Sequence, residues 1–261
     1  NLLKKLGVKV IKLYCEPNGE FPHNPEPLKE NLTDLSKLVI KEQADFGIVV
    51  DPDVDRLAFV SENGEVFGEE YTLVACADYF LNNNPGNTVS NLSSSRALKD
   101  VTELNGCNYF ASAVGEVNVV EMMKEKNAVI GGEGNGGIIL PELHYGRDAL
   151  VGIALFLTHL AKLNIPCSEL RKKYPDYYMS KDKVQLSKGL DVDVIIEKIK
   201  ANYSNHKTNS IDGLKIDFED SWVQLRKSNT EPIIRVYSEG KSQEEANMLS
   251  SKFIDQINMI K

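Results

Sequence analysis

Short apolar segments alternate with amphipathic ones through the first two-thirds of the chain. Phe46–Val50 and Thr88–Leu92 have the length and apolar character of buried strands, whereas Ser95–Leu104 spaces its apolar residues as a helix does. Strands that alternate with helices form right-handed crossovers, which produce a parallel sheet covered by helices. This part of the chain is therefore predicted to be α/β. The predicted strands are 8–14, 46–50, 88–92, 109–113 and 128–131, and the predicted helices are 28–42, 71–81, 95–104, 117–126 and 149–161.

A hairpin signal divides this α/β region into two blocks. Asn63-Gly64 lies between the apolar segments 57–60 and 66–67, and Asn-Gly strongly favours a two-residue β-hairpin turn. We place a boundary near Gly68, after which the alternation of strands and helices is repeated. The repetition predicts two tandem three-layer α/β/α domains. The first is predicted to be incomplete, because the chain opens on what resembles the last turns of a helix that ends at Gly7.

The last part of the chain is predicted to be a small α+β domain. Tyr174-Pro175-Asp176 has the character of a linker, and the strands predicted after it outnumber the helices. Ser242, followed three residues later by Glu245, is the signature of a capping box at the start of the last helix. The predicted strands are 183–186, 214–218, 222–225 and 233–237, the predicted helices are 192–203 and 244–257, and the predicted domains are 1–68, 69–175 and 176–261.

Composition and charge exclude several classes of partner. The net charge of −8 argues against a nucleic-acid surface, which would need clustered excess Lys and Arg. The four cysteines are far apart and form no CxxC pair, which argues against a disulfide framework or a zinc site and favours a reducing cytoplasm. The longest apolar run, 149–157, is too short to cross a bilayer, which needs about 20 residues. We therefore expect a cytoplasmic protein without nucleic-acid or membrane partners.

Three aspartates, Asp51, Asp53 and Asp55, follow the buried strand 46–50 at alternate positions. Ligands of α/β proteins bind beyond the carboxyl ends of strands, so we expect these carboxylates to converge there. Carboxylates so close repel one another unless a cation lies among them, and an oxygen-only set suits Mg²⁺. A calcium EF-hand does not fit, because Arg56 stands where that loop requires glycine and strands flank the segment. The other alternative is a solvated acidic turn.

Two further loops carry candidate chemistry. Residues 131–137 contain five glycines, which allow close approach of a ligand to the backbone, and Glu133 and Asn135 offer polar groups suited to sugar hydroxyls. A tight hairpin is the alternative for this loop, and His144 and Arg147 follow closely enough to line the same pocket. The segment 226–232 and the strand after it supply hydroxyls, an amide and two guanidiniums, which together suit a dianionic phosphate; a polar hairpin is the alternative.

Together, the three loops resemble those of the α-D-phosphohexomutase superfamily, which includes phosphomannomutase/phosphoglucomutase and phosphoglucosamine mutase. Members have four domains around a cleft, with an Asp-x-Asp-x-Asp-Arg metal loop in domain 2 and a Gly-Glu-x-Ser/Asn-Gly sugar loop in domain 3. An Arg-x-Ser-x-Thr-x-Pro phosphate loop lies in domain 4. The resemblance covers the whole chain in the family's order. It implies that residues 1–68 are the C-terminal part of domain 2, and that 69–175 and 176–261 are domains 3 and 4.

The resemblance also implies a role for each site residue. Arg56 would face the substrate and assist the reaction, while Glu133 and Asn135 would bind sugar hydroxyls. The ligands of Mg²⁺ would be Asp51, Asp53 and Asp55. The residues that would hold the non-transferring phosphate of a small phosphosugar are Arg226, Ser228, Asn229, Thr230 and Arg235.

The implied reaction interconverts hexose 1-phosphate and hexose 6-phosphate. It uses a phosphoserine of domain 1, and hexose 1,6-bisphosphate is both intermediate and activator. No Thr-x-Ser-His-Asn-Pro-like loop occurs in this sequence, so the chain is expected to lack domain 1 and the start of domain 2 and to be inactive alone. Val114-Gly115-Glu116 stands where many members have Thr-Gly-His and the glucosamine branch has Val-Gly-Asp. Ser93 occupies a place where some phosphomannomutases carry lysine.

Four functions are considered on this basis. Phosphomannomutase/phosphoglucomutase activity is the first expectation, and phosphoglucosamine mutase activity is the alternative within the family. A non-catalytic module that binds phosphosugars is the alternative from another class. A phosphatase with Asp51 as nucleophile lacks the usual Asp-x-Asp-x-Thr pattern.

Overall fold

The computed structural model describes residues 1–186, 190–228 and 231–260. None of the helices in these ranges is both long and apolar enough to span a membrane. The helices are α1 (Leu2–Lys5), α2 (Thr33–Glu42), α3 (Glu69–Leu81), α4 (Ala97–Leu104), α5 (Glu116–Lys126), α6 (Ala149–Leu163), α7 (Cys167–Arg171), α8 (Val192–Asn202) and α9 (Gln243–Ile260). The strands are β1 (Phe46–Val50), β2 (Leu57–Ser61), β3 (Asn87–Asn91), β4 (Tyr109–Ser112), β5 (Ala128–Glu133), β6 (Gly137–Ile139), β7 (Tyr178–Gln185), β8 (Lys207–Asn209), β9 (Leu214–Asp217), β10 (Trp222–Lys227) and β11 (Ile233–Gly240).

The first block differs from the sequence prediction in three ways. The strand predicted at 8–14 is wrong: this segment is not a strand, and Val10 and Ile11 are 39% and 42% exposed. A strand requires a neighbour for its backbone hydrogen bonds, and no described strand pairs with this segment. The helix predicted at 28–42 is a 3-10 turn, Lys29–Asn31, followed by α2. Finally, β1 and β2 pair antiparallel rather than parallel, as a hairpin that encloses the aspartate loop.

The hairpin predicted at Asn63-Gly64 is confirmed, with a longer loop than predicted. The Ser61 N–H donates to the Glu65 carbonyl at 2.8 Å, which leaves a three-residue loop. Gly64 has a φ of +83°, and its N–H donates to the Ser61 carbonyl at 2.8 Å. A three-residue hairpin loop needs a left-handed residue at its last position, and glycine adopts that conformation without steric cost.

The middle block is the predicted α/β/α layer structure. Its sheet has the order β4-β3-β5-β6, in which β3 pairs parallel with β4 and β5, while β6 is antiparallel to β5. The first and middle blocks share apolar packing, because Phe59 of β2 stacks on Phe156 of α6 with ring centroids 3.7 Å apart. Phe67 packs edge-on against the same ring at 5.1 Å. This shared core packs β2 against α6.

The last block is the predicted small α+β domain. In the described ranges its antiparallel sheet has the order β7-β11-β10-β9-β8. One face carries the apolar residues that pack on α8 and α9. The start of α9 is only partly a capping box: the Ser242 hydroxyl accepts the Glu245 N–H at 3.1 Å, but the Glu245 carboxylate accepts the N–H of Lys241 at 2.8 Å.

The opposite, polar face of this sheet packs against the middle block. Lys215 donates to the Leu92 carbonyl at 2.8 Å, and the Ser93 hydroxyl donates to the Gln224 side chain at 2.7 Å. Glu70 lies beside this contact: its carboxylate accepts the Ser95 N–H at 2.9 Å and is 3.7 Å from the Lys181 ammonium. Buried polar groups need such hydrogen-bond partners. These specific pairs therefore fix the position of the last sheet against the middle block.

Replacing Glu70 by glutamine should reduce the pH dependence of stability. Burial raises the pKa of Glu70 from 4.5 to about 7. A carboxyl group with a raised pKa binds more protons when folded, so it lowers the free energy of unfolding as the pH rises from 4.5 to about 7. The stability of Glu70→Gln relative to the parent should therefore rise by about 2–4 kcal/mol over this window. Urea unfolding at a series of pH values measures this difference.

Glu69→Gln is the matched control for loss of the nearby ion pair. Glu69 is 3.8 Å from the same Lys181 ammonium, but its side chain is 24% exposed, compared with 12% for Glu70. If the stability difference between Glu70→Gln and the parent stays constant across the window, the carboxyl group does not titrate as its burial indicates.

Candidate functional site

The structure brings the three aspartates together at the end of β1. Ligand atoms of Asp51, Asp53 and Asp55 all lie within 4.8 Å of one another. Between them, Val54 has a φ of +62°, which is unfavourable for a β-branched residue. Two hydrogen bonds hold it there, from the Val54 N–H to the Asp51 carbonyl at 3.1 Å and from the Ala149 N–H to the Val54 carbonyl at 3.0 Å. Such a conformation persists only where surrounding contacts impose it, as at ligand sites.

The pKa values of Asp51 and Asp55 are shifted in opposite directions. Burial acts to raise the pKa of Asp51, but the N–H groups of Arg56 and Asp55, each 3.0 Å from its Oδ1, hold that pKa below its ordinary value. Burial, with the neighbouring Asp51, raises the pKa of Asp55 to about 6. Asp55 Oδ1 is buried without a hydrogen-bond partner among the described residues. A crowded, oxygen-only set with one unsatisfied carboxylate oxygen fits a hard divalent cation such as Mg²⁺.

Arg56 lies over the acidic loop, and its side chain is 32% exposed. Its Nη1 donates to Glu26 Oε1 at 3.0 Å, and its Nε is 3.7 Å from Asp51 and 3.8 Å from Asp55. Although burial acts in the opposite direction, these carboxylates raise the pKa of the guanidinium. Arg56 is thus a permanent cation at the rim of the loop.

Glu133, the last residue of β5, is buried and has a fixed orientation. Its Oε1 accepts the Asn91 side-chain amide at 2.8 Å and the Gly115 N–H at 3.3 Å, and its Oε2 accepts Arg147 Nη1 at 3.0 Å. Asn135 uses its Oδ1 to accept the Gly137 N–H at 3.1 Å, which leaves its NH₂ group available as a donor. The glycine loop therefore presents one oriented carboxylate and one oriented amide.

Arg147 is the main site residue whose role the sequence did not indicate. It donates to Asp55 and Glu133, and its Nε is 3.4 Å from Glu116. Only its position shortly after the glycine loop suggested a place in the pocket. Its partners are far apart along the chain, so their spacing carried no signal.

The cations of the predicted phosphate loop are grouped across the last sheet. Arg226 of β10 is directly opposite Arg235 of β11, and Arg235 is in turn directly opposite Lys183 of β7. Like charges at opposed positions destabilise a sheet unless an anion lies between them. Within the described ranges, Arg226 Nε is buried without a hydrogen-bond partner, and its Nη1 is 3.6 Å from Asp212. Lys183 is a further cation that the loop motif did not include.

The rest of the predicted phosphate loop is described in part. Ser228 is buried, and its hydroxyl accepts the Glu231 N–H at 3.3 Å. Asn229 and Thr230, which were predicted to bind the same phosphate, lie outside the described residues.

A continuous path of contacts joins the three loops. Asp212 Oδ2 is 3.6 Å from Arg226 and accepts the Val114 N–H at 3.0 Å. The next residue, Gly115, donates to Glu133, which contacts Arg147 and through it Asp55. The three predicted site loops are therefore linked by a continuous set of contacts.

Family models match three consecutive parts of the chain. Family models described as phosphoglucomutase/phosphomannomutase domain II, alpha/beta/alpha domain III and C-terminal domain match residues 1–64, 68–178 and 180–256. A "Phosphoglucomutase/phosphomannomutase" of Thermococcus kodakarensis is 39% identical over 94% of this chain and 54% of its own length. A "Probable phosphoglucosamine mutase" of Methanopyrus kandleri is 33% identical over 97% of this chain and 57% of its own length. The chain thus spans about half the length of these curated relatives.

A solved structure shows the same fold over nearly the whole chain. The phosphoglucomutase/phosphomannomutase family protein from Burkholderia thailandensis is 26% identical, with a TM-score of 0.85. The match covers 98% of this chain and 56% of that one.

Proposed function

The chain belongs to the phosphoglucomutase/phosphomannomutase family, and on that premise we propose that it forms part of a phosphohexomutase. The proposed reaction moves a phosphoryl group between the 1- and 6-oxygens of a hexose, with glucose and mannose phosphates as the first candidates. Glucosamine phosphate is the second candidate, because relatives named for that activity match the chain about as extensively. The observation that carries the proposal is the contact path from Arg226 through Glu133 to Asp55.

In this proposal each loop holds a different part of the substrate. Arg226 and Arg235 hold the phosphate that is not transferred, together with the hydroxyls and amide of Ser228, Asn229 and Thr230. Glu133 accepts hydrogen bonds from sugar hydroxyls, and the Asn135 amide donates one. Mg²⁺ held by Asp51, Asp53 and Asp55 supplies positive charge for the phosphoryl group that moves. Arg56, at the rim of the same loop, faces this group.

The phosphoryl donor in the proposed reaction is a phosphoserine outside these 261 residues. It transfers its phosphoryl group to the free hydroxyl of the substrate, which gives a hexose 1,6-bisphosphate and an unmodified serine. After the sugar turns over in the cleft, the other phosphoryl group returns to the serine. Phosphate is conserved, and the residues of this chain contribute orientation and charge neutralisation.

The chain by itself should bind glucose 1-phosphate weakly and should not convert it. Binding follows from the phosphate and sugar loops, and the lack of turnover follows from the absent donor serine. NMR titration measures binding, while a dehydrogenase that consumes glucose 6-phosphate reports turnover in the presence of Mg²⁺ and a trace of glucose 1,6-bisphosphate. A longer form of the protein that includes a phosphoserine loop should turn over in the same assay.

Each contrary result has a distinct meaning. Sustained turnover by the pure chain would place a phosphoryl acceptor among these residues and overturn the donor assignment. Failure of the phosphoserine-containing form with glucose, mannose and glucosamine phosphates, combined with binding, would instead favour a non-catalytic phosphosugar-binding module.

A further inference from the structure

Arg147 contacts three carboxylates from three separate elements. Its Nη2 donates to Asp55 in the metal loop, and its Nη1 donates to Glu133 at the end of β5 at 3.0 Å. Its Nε lies 3.4 Å from Glu116, the first residue of α5, whose Oε1 also accepts the Arg147 backbone N–H at 2.9 Å. The side chain is only 14% exposed. One guanidinium therefore holds together groups that are up to 78 residues apart by their numbers (55 to 133).

The contact with Asp55 determines which of its oxygens remains available. Arg147 donates a hydrogen bond to Oδ2 of Asp55, while Oδ1 is buried and has no hydrogen-bond partner among the described residues. Arg147 also donates a hydrogen bond to Oε2 of Glu133, and Oε1 of Glu133 accepts hydrogen bonds from Asn91 and Gly115. A planar guanidinium fixes the orientation of two carboxylates at once, whereas a lysine ammonium is a single point charge on a flexible stem.

The glycine at position 137 leaves room for this side chain. A Cβ built on Gly137 would be 2.4 Å from Arg147 Cδ and 3.0 Å from its Cγ. Alanine at this position would require the arginine side chain to move, without any change of charge. Gly137→Ala is therefore a means of displacing Arg147 while keeping its guanidinium.

We propose that Arg147 is a positioning residue that couples the metal loop to the sugar loop. It holds Asp55 through Oδ2, which leaves Oδ1 without a hydrogen bond to the described residues and available for a cation, and it holds Glu133 in the orientation that meets the sugar. Since both carboxylates share one guanidinium, binding of a divalent cation and binding of a phosphosugar favour the same arrangement and are cooperative. The coupling rests on the proposed function, whereas the positioning of Asp55 does not.

The first test uses Mn²⁺ as a probe of the metal loop, measured by electron paramagnetic resonance of the free ion. Outer partners of metal ligands typically contribute about 10- to 100-fold to affinity. Both charge-preserving variants should weaken Mn²⁺ binding by about tenfold or more, because Arg147→Lys removes the guanidinium fork and Gly137→Ala displaces it. Lys124→Met, which removes a cation from α5 outside the site, is the control and should bind as the parent does.

A purely electrostatic role for Arg147 would give the opposite pattern. In that case Arg147→Lys and Gly137→Ala would bind Mn²⁺ as the parent does, and Arg147→Met would bind it more tightly because a nearby positive charge is lost. Either finding would overturn the positioning of Asp55. Urea unfolding identifies any variant that has lost its fold. Arg147→Lys and Gly137→Ala change different residues, so the test is decided as long as one of them is folded.

The second test measures the coupling. The dissociation constant of glucose 1-phosphate is determined by NMR with and without a saturating diamagnetic cation, Mg²⁺. In the parent, Mg²⁺ should lower this constant several-fold, and in Arg147→Lys the two constants should be equal. An Mg²⁺ effect that is unchanged in the variant would overturn the coupling. A parent that binds Mn²⁺ but no phosphosugar would overturn the coupling and the proposed function, while the Mn²⁺ series would still decide the positioning of Asp55.

Discussion

Asp53→Asn should weaken Mg²⁺ binding by about 100-fold or more, because loss of a direct ligand exceeds the cost of losing an outer partner. Asp53 is the exposed member of the three aspartates, and its ligand oxygen lies within 4.8 Å of those of Asp51 and Asp55. Removing one of three crowded like charges should leave the metal-free fold intact or slightly more stable. Isothermal calorimetry measures the affinity, and urea unfolding without metal measures the free energy of unfolding.

Asp255→Asn provides the matched control for this change. Asp255 is an exposed aspartate on α9, so its replacement removes the same charge away from the loop. It should leave Mg²⁺ affinity unchanged. Equal Mg²⁺ affinity in Asp53→Asn and the parent would mean that the loop is a solvated acidic turn rather than a cation site.

Arg226→Ala should weaken binding of glucose 1-phosphate by about 2–4 kcal/mol, which corresponds to roughly 30- to 700-fold in the dissociation constant. Arg226 is partly buried, and its Nε has no hydrogen-bond partner within the described ranges. A phosphate between Arg226 and the opposed Arg235 would satisfy this donor and offset the repulsion between the two guanidiniums. Because that phosphate is not transferred, the same loss should appear in KM of the phosphoserine-containing form, with a smaller change in kcat.

Lys227→Ala is the control within the same strand. Lys227 is adjacent to Arg226, is exposed, and by the alternation of a β-strand projects from the opposite face of the sheet. It should bind glucose 1-phosphate within about twofold of the parent, since exposed charges away from a ligand are largely screened. If the two variants lose affinity equally, the effect is one of general charge and the assignment of Arg226 is wrong.

Local patterns in the sequence were sufficient to predict most of the secondary structure, and they indicated three candidate site loops. The apolar run before Asp51 and the alternation of strands and helices predicted β1 and the α/β/α layers, which the structure contains. Such features depend on residues close together in sequence. The buried face of a strand or helix requires apolar residues at that element's own spacing, and this spacing is visible in the sequence. The convergence of the three aspartates belongs to the same class, since these residues are two positions apart in the sequence.

Other features depended on contacts between distant segments, and only the tertiary structure decided them. Residues 8–14 have the composition of a strand, but strand formation requires a neighbouring edge, and none of the described strands supplies one. The opposition of Lys183 to Arg235 is a matter of strand register, which single-strand patterns do not contain. Arg147 is the clearest example: its chemical type suggests only a cation in a pocket, and its role follows from the fold bringing Asp55, Glu116 and Glu133 to one guanidinium.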